Sequence, residues 1–503
     1  MSDIVIGIDG GTTAVKAVAF NLDGQIQATH HASVPVQYGD NGEAEQDMEL
    51  IWEAVADCLT QVRAQLPDTN VVGIGLTGQG DGAWLIDTEG KPTRPAANWL
   101  DGRAADRVNA WEVDGRGRKV LDVTGTTVFG GLFPVLIEEL KETQPEAVER
   151  AATHLNCKDW IRFKLTGVRA TDYTEASRSF LDVRDASGFC ADLATDLGLE
   201  DTLRLLPEIR HADGPASPLS EEAAQRTGIP AGTPVGVGMI DVAVTGMGLG
   251  AIEDNATWLI LGTTGFVGTL LPSVAERKSD LSMVLATGNG TQVLEFMAPM
   301  TGTPNLDWIR RTLGLEDEDW SAIEAQARKA KPGSRGVIYL PYASPGGERA
   351  PFLDTNASAS WQGMSLTSAR EDILRSVYEG VAFSLVECVN ALEVETDLVV
   401  SGGGFRSDLL CEILADATGK CVIRQDAPEA GARGAAVLAL VSAGRFPTIQ
   451  EAAQALGTSM ATFEPNPENR EIYDLTHRIF IATREAIQPV WKQMRELRKA
   501  VTQ

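Results

Sequence analysis

Two short stretches of glycine and threonine, each closing an apolar run, carry the residue types that hold phosphate. Ile4–Ile8 is apolar, Asp9-Gly10-Gly11-Thr12-Thr13 interrupts it, and Val15–Phe20 resumes it. The pattern returns at Trp258-Leu259-Ile260-Leu261, then Gly262-Thr263-Thr264-Gly265, then Phe266–Leu271. Bare backbone N–H groups and hydroxyls in such loops can cradle phosphate. A tight hairpin explains the second loop as well, and both readings can hold at once. Two copies, each opening one half of the chain, predict two related domains facing one nucleotide across a cleft.

Charged residues beside these loops suggest the accompanying chemistry. Asp9, at a strand end before glycines, is placed to hold Mg²⁺ against phosphates, directly or through water; alternatively it satisfies its own turn. Lys16 either approaches the phosphates or projects into solvent from the second strand of the hairpin. Asp241 follows a Val235–Val237 strand and stands before a helical start at Val242–Met247. A carboxylate there can accept a proton from a hydroxyl nucleophile, or can cap the helix. Gly402-Gly403-Gly404, after a Val399–Ser401 strand, lets a ligand approach the backbone closely or is an ordinary glycine-rich turn. The small residues Ala430–Ala436 suit a helix end pressed against the same ligand, with Arg433 read as a solvated charge in preference to a contact.

The elements that must position these groups alternate between strand and helix. Apolar residues at helical spacing predict a helix over Asp47–Leu66, and Val71–Leu76 reads as a buried strand delivering Thr77–Gly82. Ala83–Asp87 continues as a strand, Cys157 opens a helix to Gly167, and the proline-rich Pro215–Pro234 reads as a connection. Beyond it come a helix at Asn305–Leu313, a strand at Gly336–Tyr339, an amphipathic helix over Glu371–Leu392 and a helix from Asp408 to Gly419. A charged surface helix is expected over Arg470–Lys499. This is an α/β protein, with 503 residues too many for one core. Two domains are expected, residues 1–249 and 250–503.

Composition narrows the partners. With 43 basic against 70 acidic residues the net charge is −27, which argues against nucleic acid or an anionic membrane. The six cysteines are scattered without metal-ligand spacing, as expected of thiols in a reducing cytoplasm. No apolar stretch approaches the ~20 residues of a membrane span, and the first residues lack the pattern of a signal peptide.

In order and spacing the motifs resemble the FGGY family of carbohydrate kinases nearly end to end. Ile8–Thr13 with Lys16 is similar to the family's N-terminal phosphate motif, and Gly238-Met239-Ile240-Asp241 with Gly246 and Gly248 to its catalytic-aspartate segment. Trp361-Gln362-Gly363-Met364, Asp372-Ile373 and Ser376–Gly380 are similar to its C-terminal signature. Ser401–Gly404 with Ser407 resembles its adenosine-binding turn. A lysine- and tryptophan-containing signature usual in the first domain is not evident in Phe129–Leu140.

The resemblance implies two actin-like (ribonuclease H-like) domains with the active site in the cleft between them. It implies ATP and Mg²⁺ as cofactors, with Asp241 as general base and, beside Asp9, as metal-facing carboxylate. Gly11, Thr12, Thr13, Lys16, Gly262, Thr263, Thr264, Gly402, Gly403, Gly404 and Ser407 would hold the nucleotide. Gln79, Asp81, Trp99, Asp101, Arg103 and Asp241 would line the site of a small neutral sugar or polyol. Lys158, Asp159, Asp172 and Glu175 read more readily as structural, and Glu348–Pro351 as a turn able to close over the cleft. Gly80-Asp81 after Gln79 departs from the glycerol kinase and xylulose kinase patterns, so the resemblance is to the erythritol kinase and L-xylulose kinase side, with erythritol ahead of xylulose. A homodimer is an open expectation. Three rivals are weaker: a chaperone-type or filament-forming ATPase of the same fold, a sugar-responsive regulator lacking its basic helix-turn-helix, and a dinucleotide enzyme lacking G-x-G-x-x-G.

Overall fold

Strand β1 (Ser2–Gly10) is apolar on both faces because it lies inside a sheet that is covered on both sides. The computed structural model describes residues 2–288, 290 and 292–502. In its first half β1 is followed by β2 (Ala14–Asn21), β3 (Ile26–Ser33), helix α1 (Met48–Gln65) and β4 (Thr69–Gly78). Helix α2 (Cys157–Thr166), the short β5 (Ser217–Pro218), α3 (Glu221–Thr227), β6 (Pro234–Val235) and β7 (Met239–Ile240) come later, before helix α4 (Asp241–Gly248). The sheet order is β5-β6-β4-β1-β2-β3, with β7 on the end of β4.

The second half repeats the scheme. Strands β8 (Thr257–Leu261), β9 (Gly265–Leu271), β10 (Met283–Ala286) and β11 (Val293–Met297) precede helix α5 (Arg370–Ala391). Then follow β12 (Leu398–Ser401), α6 (Asp408–Thr418), β13 (Val422–Gln425), α7 (Ala430–Ser442), β14 (Met460–Phe463) and α8 (Pro467–Thr502). Its order is β10-β11-β9-β8-β12-β13-β14. β8 pairs antiparallel with β9 and parallel with β12, just as β1 pairs antiparallel with β2 and parallel with β4. The echo of glycine-threonine loops is therefore an echo of topology.

Strand alternation decides which layer each β1 residue meets. Ile4, Ile6 and Ile8 join the core with α1 and α2, whereas Val5 packs with Ala432 and Ala436 of α7. Helix α7 thus belongs to the second half of the chain but lies on the first sheet. It lies very close: a Cβ on Gly7 would stand 1.9 Å from the Ala432 carbonyl oxygen, and one on Gly75 1.9 Å from that of Ala435. The other side of α7 meets α4 in the same way, where a Cβ on Gly434 would be 2.0 Å from the Val244 oxygen.

Several sequence expectations are corrected by burial. Pro215–Pro234 is no mere connection, since it supplies β5 and the start of β6 to the first sheet and packs α3 on α1. Helix α5 is buried on nearly every face from Leu374 to Val389, with Glu379 neutralised by Arg375 at 2.9 Å, so it is a central helix and not an amphipathic one. Within Ala83–Asp87 a continuous strand is limited to Leu85–Ile86, with Ala83 pairing separately as an antiparallel bridge to Ala97. Helix α8 runs through Pro489 and, although largely exposed, anchors itself by Tyr473, Phe480 and Trp491. Arg433 is neither solvated nor free for a ligand: it is buried over the Phe20 ring and donates to the Gly24 and Leu456 carbonyls at 2.8 and 2.6 Å.

Gly75→Ala is expected to destabilise the protein by about 1–3 kcal/mol, because sheet and helix backbone must separate to admit a methyl group. Denaturant unfolding measures this; a loss of under about 0.5 kcal/mol would show that the contact is not constraining.

Candidate active site

Alternation along β1 places Asp9 on the α7 face, at the N-terminal end of that helix. Its Oδ2 would lie 3.2 Å from a Cβ on Gly431, so glycine there leaves the carboxylate its space. Asp9 is opposite Lys16 in the β1–β2 register, and both therefore point to the same side. Lys16 reaches across the halves to Glu429, 2.9 Å away, a partner that nothing in the sequence pattern disclosed. Glu429 has φ +59°, a conformation uncommon for a residue with a side chain.

Asp241 is the first residue of α4, and its Oδ1 accepts the Val242 N–H at 2.7 Å. Burial pushes its carboxyl up to about 7, with repulsion from Asp9 next, and this outweighs the Val242 hydrogen bond. Asp9 is likewise raised to about 6, chiefly by burial, although Lys16 opposes the shift. The structure therefore brings Asp9 and Asp241 from opposite ends of the first half into one electrostatic unit, in which each carboxylate hinders the other's ionisation.

Asp241 is aligned by a buried brace. Thr77 donates its hydroxyl to the Met239 carbonyl at 2.8 Å, and Ile240 N–H donates to Thr174 Oγ1 at 3.0 Å. Thr174 donates in turn to Asp172 at 2.6 Å, and Asp172 pairs with Lys158 at 2.9 Å. Lys158 also holds Asp159 at 2.5 Å, and all three charged side chains are fully buried. Lys158, Asp159 and Asp172 are structural, as expected, and their structure ends one residue before Asp241. Glu175 is buried beside them with both carboxylate oxygens unpartnered, and burial raises its pKa well above the carboxylate range.

The Gly10–Thr13 loop is tied to the predicted substrate wall. Thr12 Oγ1 accepts the Trp99 indole N–H at 2.9 Å, and the Thr12 carbonyl accepts from Gln46 at 2.9 Å. Gln46 also accepts from Gln79 at 2.7 Å, leaving Gln79 Oε1 buried without a partner. Gly11 and Thr12 are half-buried, Thr13 is exposed, and the Trp99 ring is 36% exposed, enough to offer a face to a ligand. Asp81, at φ +64°, holds Arg178 by two contacts of 2.8 and 3.2 Å. Arg178 also donates to Thr126 at 2.9 Å and lies over the Phe129 ring at 5.6 Å.

A lone arginine and a lone phenylalanine carry no sequence pattern, so nothing local marks Arg178 or Phe129 as part of this wall. Asp101 and Arg103, expected on the wall, turn inward instead. Asp101 accepts Ala44 N–H at 2.9 Å and pairs with Arg103 at 2.8 Å, and Arg103 also meets Glu45 at 2.5 Å. They brace the Trp99 loop. From the second half, the exposed Arg349 donates to the Ala298 carbonyl at 2.7 Å.

Around the second loop, the structure joins two motifs that are far apart in sequence. Gly402 has φ +104°, and a Cβ there would lie 2.7 Å from the Leu261 carbonyl oxygen; Gly404 packs on the Leu261 side chain. The 402–404 turn is thus seated against the residue preceding Gly262. Open space surrounds Gly403, and Thr263 is exposed beside the half-buried Thr264. Ser407 caps α6 through Leu410 N–H at 3.2 Å and donates to Glu324 at 2.6 Å, so its hydroxyl serves the helix.

Asp9 and Asp241 fit a magnesium site in kind. They are two mutually repelling carboxylates beside phosphate-type loops, and Mg²⁺ takes one or two carboxylates together with substrate phosphates and water. Among the described residues no cluster of three or more ligating side chains is gathered.

Residues 4–248 match the N-terminal domain of the FGGY family of carbohydrate kinases, and residues 258–443 match its C-terminal domain. The chain is 33% identical to the erythritol kinase of Brucella abortus over 98% of both sequences. It is 28% identical to a probable L-xylulose kinase of Pasteurella multocida, covering 92% of this chain and 94% of that one. The crystal structure of a gluconate kinase from Lactobacillus acidophilus superimposes with a TM-score of 0.91 at 24% identity, covering 98% of this chain and 100% of the other, a likeness of fold. The chain belongs to the FGGY family of carbohydrate kinases, with the two-domain α/β fold of that family.

Thr174→Val is expected to lower kcat about ten- to a hundredfold with little change in KM, because it releases Ile240 and lets Asp241 drift. Thr174→Ser should restore most of the rate. Equal kinetics in the valine variant would remove the brace from the account.

Proposed function

We propose that this kinase transfers the terminal phosphoryl group of ATP to a hydroxyl of a four- or five-carbon polyol or ketose, erythritol ahead of xylulose, with Asp241 as general base. The observation that carries this reading is the Asp9–Asp241 pair, with Asp241 raised to about 7 by burial and by Asp9. A base poised near neutral pH matches proton removal from a hydroxyl. The division into domains at 249/250 and a cytoplasmic location belong to the same reading, the latter supported by six free cysteines.

The acceptor lies against Gln79, Asp81 and Trp99, its hydroxyls donating to Asp81 and to the otherwise unpartnered Gln79 Oε1. The two arginines that the first domain brings to this region are already neutralised, Arg178 by Asp81 and Arg103 by Asp101. Such a wall suits a neutral polyol better than a sugar acid. Asp241 takes the hydroxyl proton as the oxygen bonds to the γ-phosphorus and the bond to the bridging oxygen of the β-phosphate breaks, giving a phosphomonoester and ADP. Asp9 and Asp241 would hold Mg²⁺, directly or through water; when bound it neutralises charge on the phosphates.

Backbone and hydroxyls of Gly11–Thr13 and Gly262–Thr264 hold the phosphates, and the Gly402–Gly404 turn admits the adenosine. Lys16 exchanges Glu429 for phosphate, a change of small cost because the pair is half-exposed, at 42% and 30%. Glu348–Pro351 closes over the wall with the second domain and excludes water as a competing acceptor.

ADP release measured across erythritol, D- and L-xylulose, ribitol, glycerol and gluconate is expected to favour erythritol or a pentulose and to exclude gluconate. Phosphorylation of neither erythritol nor a pentulose would sink the acceptor assignment, and ATP turnover indifferent to any acceptor would favour a chaperone-type ATPase. Asp241→Asn should lower kcat by at least about a hundredfold while nucleotide still binds. Near-normal turnover in that variant would remove Asp241 from the mechanism.

A further inference from the structure

The outer edge of the second sheet is held by the first domain. β10 is the last strand of that sheet, and its side away from β11 presents backbone N–H and C=O groups at every second residue. The first half of the chain supplies partners along this edge. Val284 N–H donates to the Gly125 carbonyl at 2.9 Å, and Ala286 N–H to Ser177 Oγ at 2.9 Å. Two residues further, the Gly288 carbonyl accepts Ala212 N–H at 3.0 Å. Of these three partners, two are backbone groups, and only Ser177 contributes a side chain.

Ser177 is fully buried and donates its own hydroxyl proton to the Tyr173 carbonyl at 2.7 Å, which fixes the direction of the lone pair that meets Ala286. The seam around it is tight. Ala176, Leu181, Val183 and Ala286 form one apolar cluster, and a Cβ on Gly125 would stand 2.7 Å from that of Val284. Without the hydroxyl, the Ala286 N–H would be buried there without a partner. The same turn supports both carboxylates assigned to the acceptor. Thr174 accepts the Ile240 N–H, beside Asp241, at 3.0 Å, and Arg178 holds Asp81 at 2.8 and 3.2 Å. Across the seam, β10 shares its sheet with β8 and β9, which the Gly262–Thr264 loop connects.

We propose that Ser177 is a positioning residue that couples acceptor binding on the first domain to nucleotide binding on the second. Its hydroxyl joins the sheet that carries one phosphate loop to the turn that sets Asp81 and Asp241. An acceptor that orders Asp81 and Arg178 thereby steadies the turn and the β10 edge, so that less ordering is left for the nucleotide to impose. The converse holds by linkage, since each ligand must favour the other by the same factor. The inference rests on the acceptor and base assignments above and adds a route between the two ligands.

The coupling is tested by calorimetric titration of the full-length enzyme with erythritol, or with D-xylulose if erythritol is not phosphorylated. Each titration is run with and without Mg²⁺ and adenylyl imidodiphosphate. The native protein should bind the acceptor at least about fivefold more tightly with the nucleotide analogue present. In Ser177→Ala that enhancement should fall below about twofold, with each ligand alone bound within about threefold of its native affinity. An enhancement that survives in Ser177→Ala, or is absent from the native protein, would overturn the proposal. Hydrogen exchange on the native protein gives a second test that needs no variant. Acceptor alone should slow exchange of the Ala286 amide by at least about threefold. Unchanged exchange at that amide would overturn the proposal as well. Failure of both acceptors to bind would instead strike the acceptor assignment, and this inference with it.

Discussion

Everything in the active site depends on how closely α7 can approach the first sheet and α4. Gly7 and Gly75 on the sheet, and Gly434 where the two helices cross, replace side chains with backbone contact. That contact seats a helix from the second half of the chain on the first, with Gly431 beside Asp9 and Glu429 beside Lys16. It also fixes α4, whose first residue is Asp241. Larger residues at these positions would separate three elements at once, since protein interiors are packed too tightly to absorb a displaced helix. Dispersion is therefore what sets the geometry of the charged groups.

The electrostatics follow from that geometry. An aspartate at a helix N-terminus is ordinarily held ionised by the backbone amides, and Asp241 does receive one such bond from Val242. Burial and the neighbouring Asp9 are the larger effects, so its pKa rises instead. The chain's excess of acid contributes little, because the interaction is local and the surface charge is screened over ~8–10 Å. On the proposed reading, loops, an ion and one exchangeable lysine acting at short range would let a strongly acidic protein hold a polyanionic nucleotide.

Much of this was legible in the sequence. The duplicated strand-loop-strand pattern is a repeat of topology, and Asp9 and Asp241 lie at the strand end and the helix start that their flanking residues predict. What escaped was long-range pairing. Arg178 approaches Asp81 and Glu429 approaches Lys16 across 97 and 413 residues of sequence, and no local pattern anticipates either. Asp101 and Arg103 misled for the opposite reason: their residue types suit a polyol, but two residues apart they satisfy each other. A charge among alanines is usually exposed, but at Arg433 two carbonyls and an aromatic ring make burial tolerable.

The most direct test of the account is the pH dependence of kcat/KM for the favoured acceptor, which reports ionisations of the free enzyme. If Asp241 accepts the proton with its pKa raised to about 7, the rate constant climbs with unit slope through the acid range and levels near that pH. A profile already flat down to the ordinary carboxylate range would mean that Asp241 is ionised throughout, and that burial beside Asp9 does not set the base strength of this site.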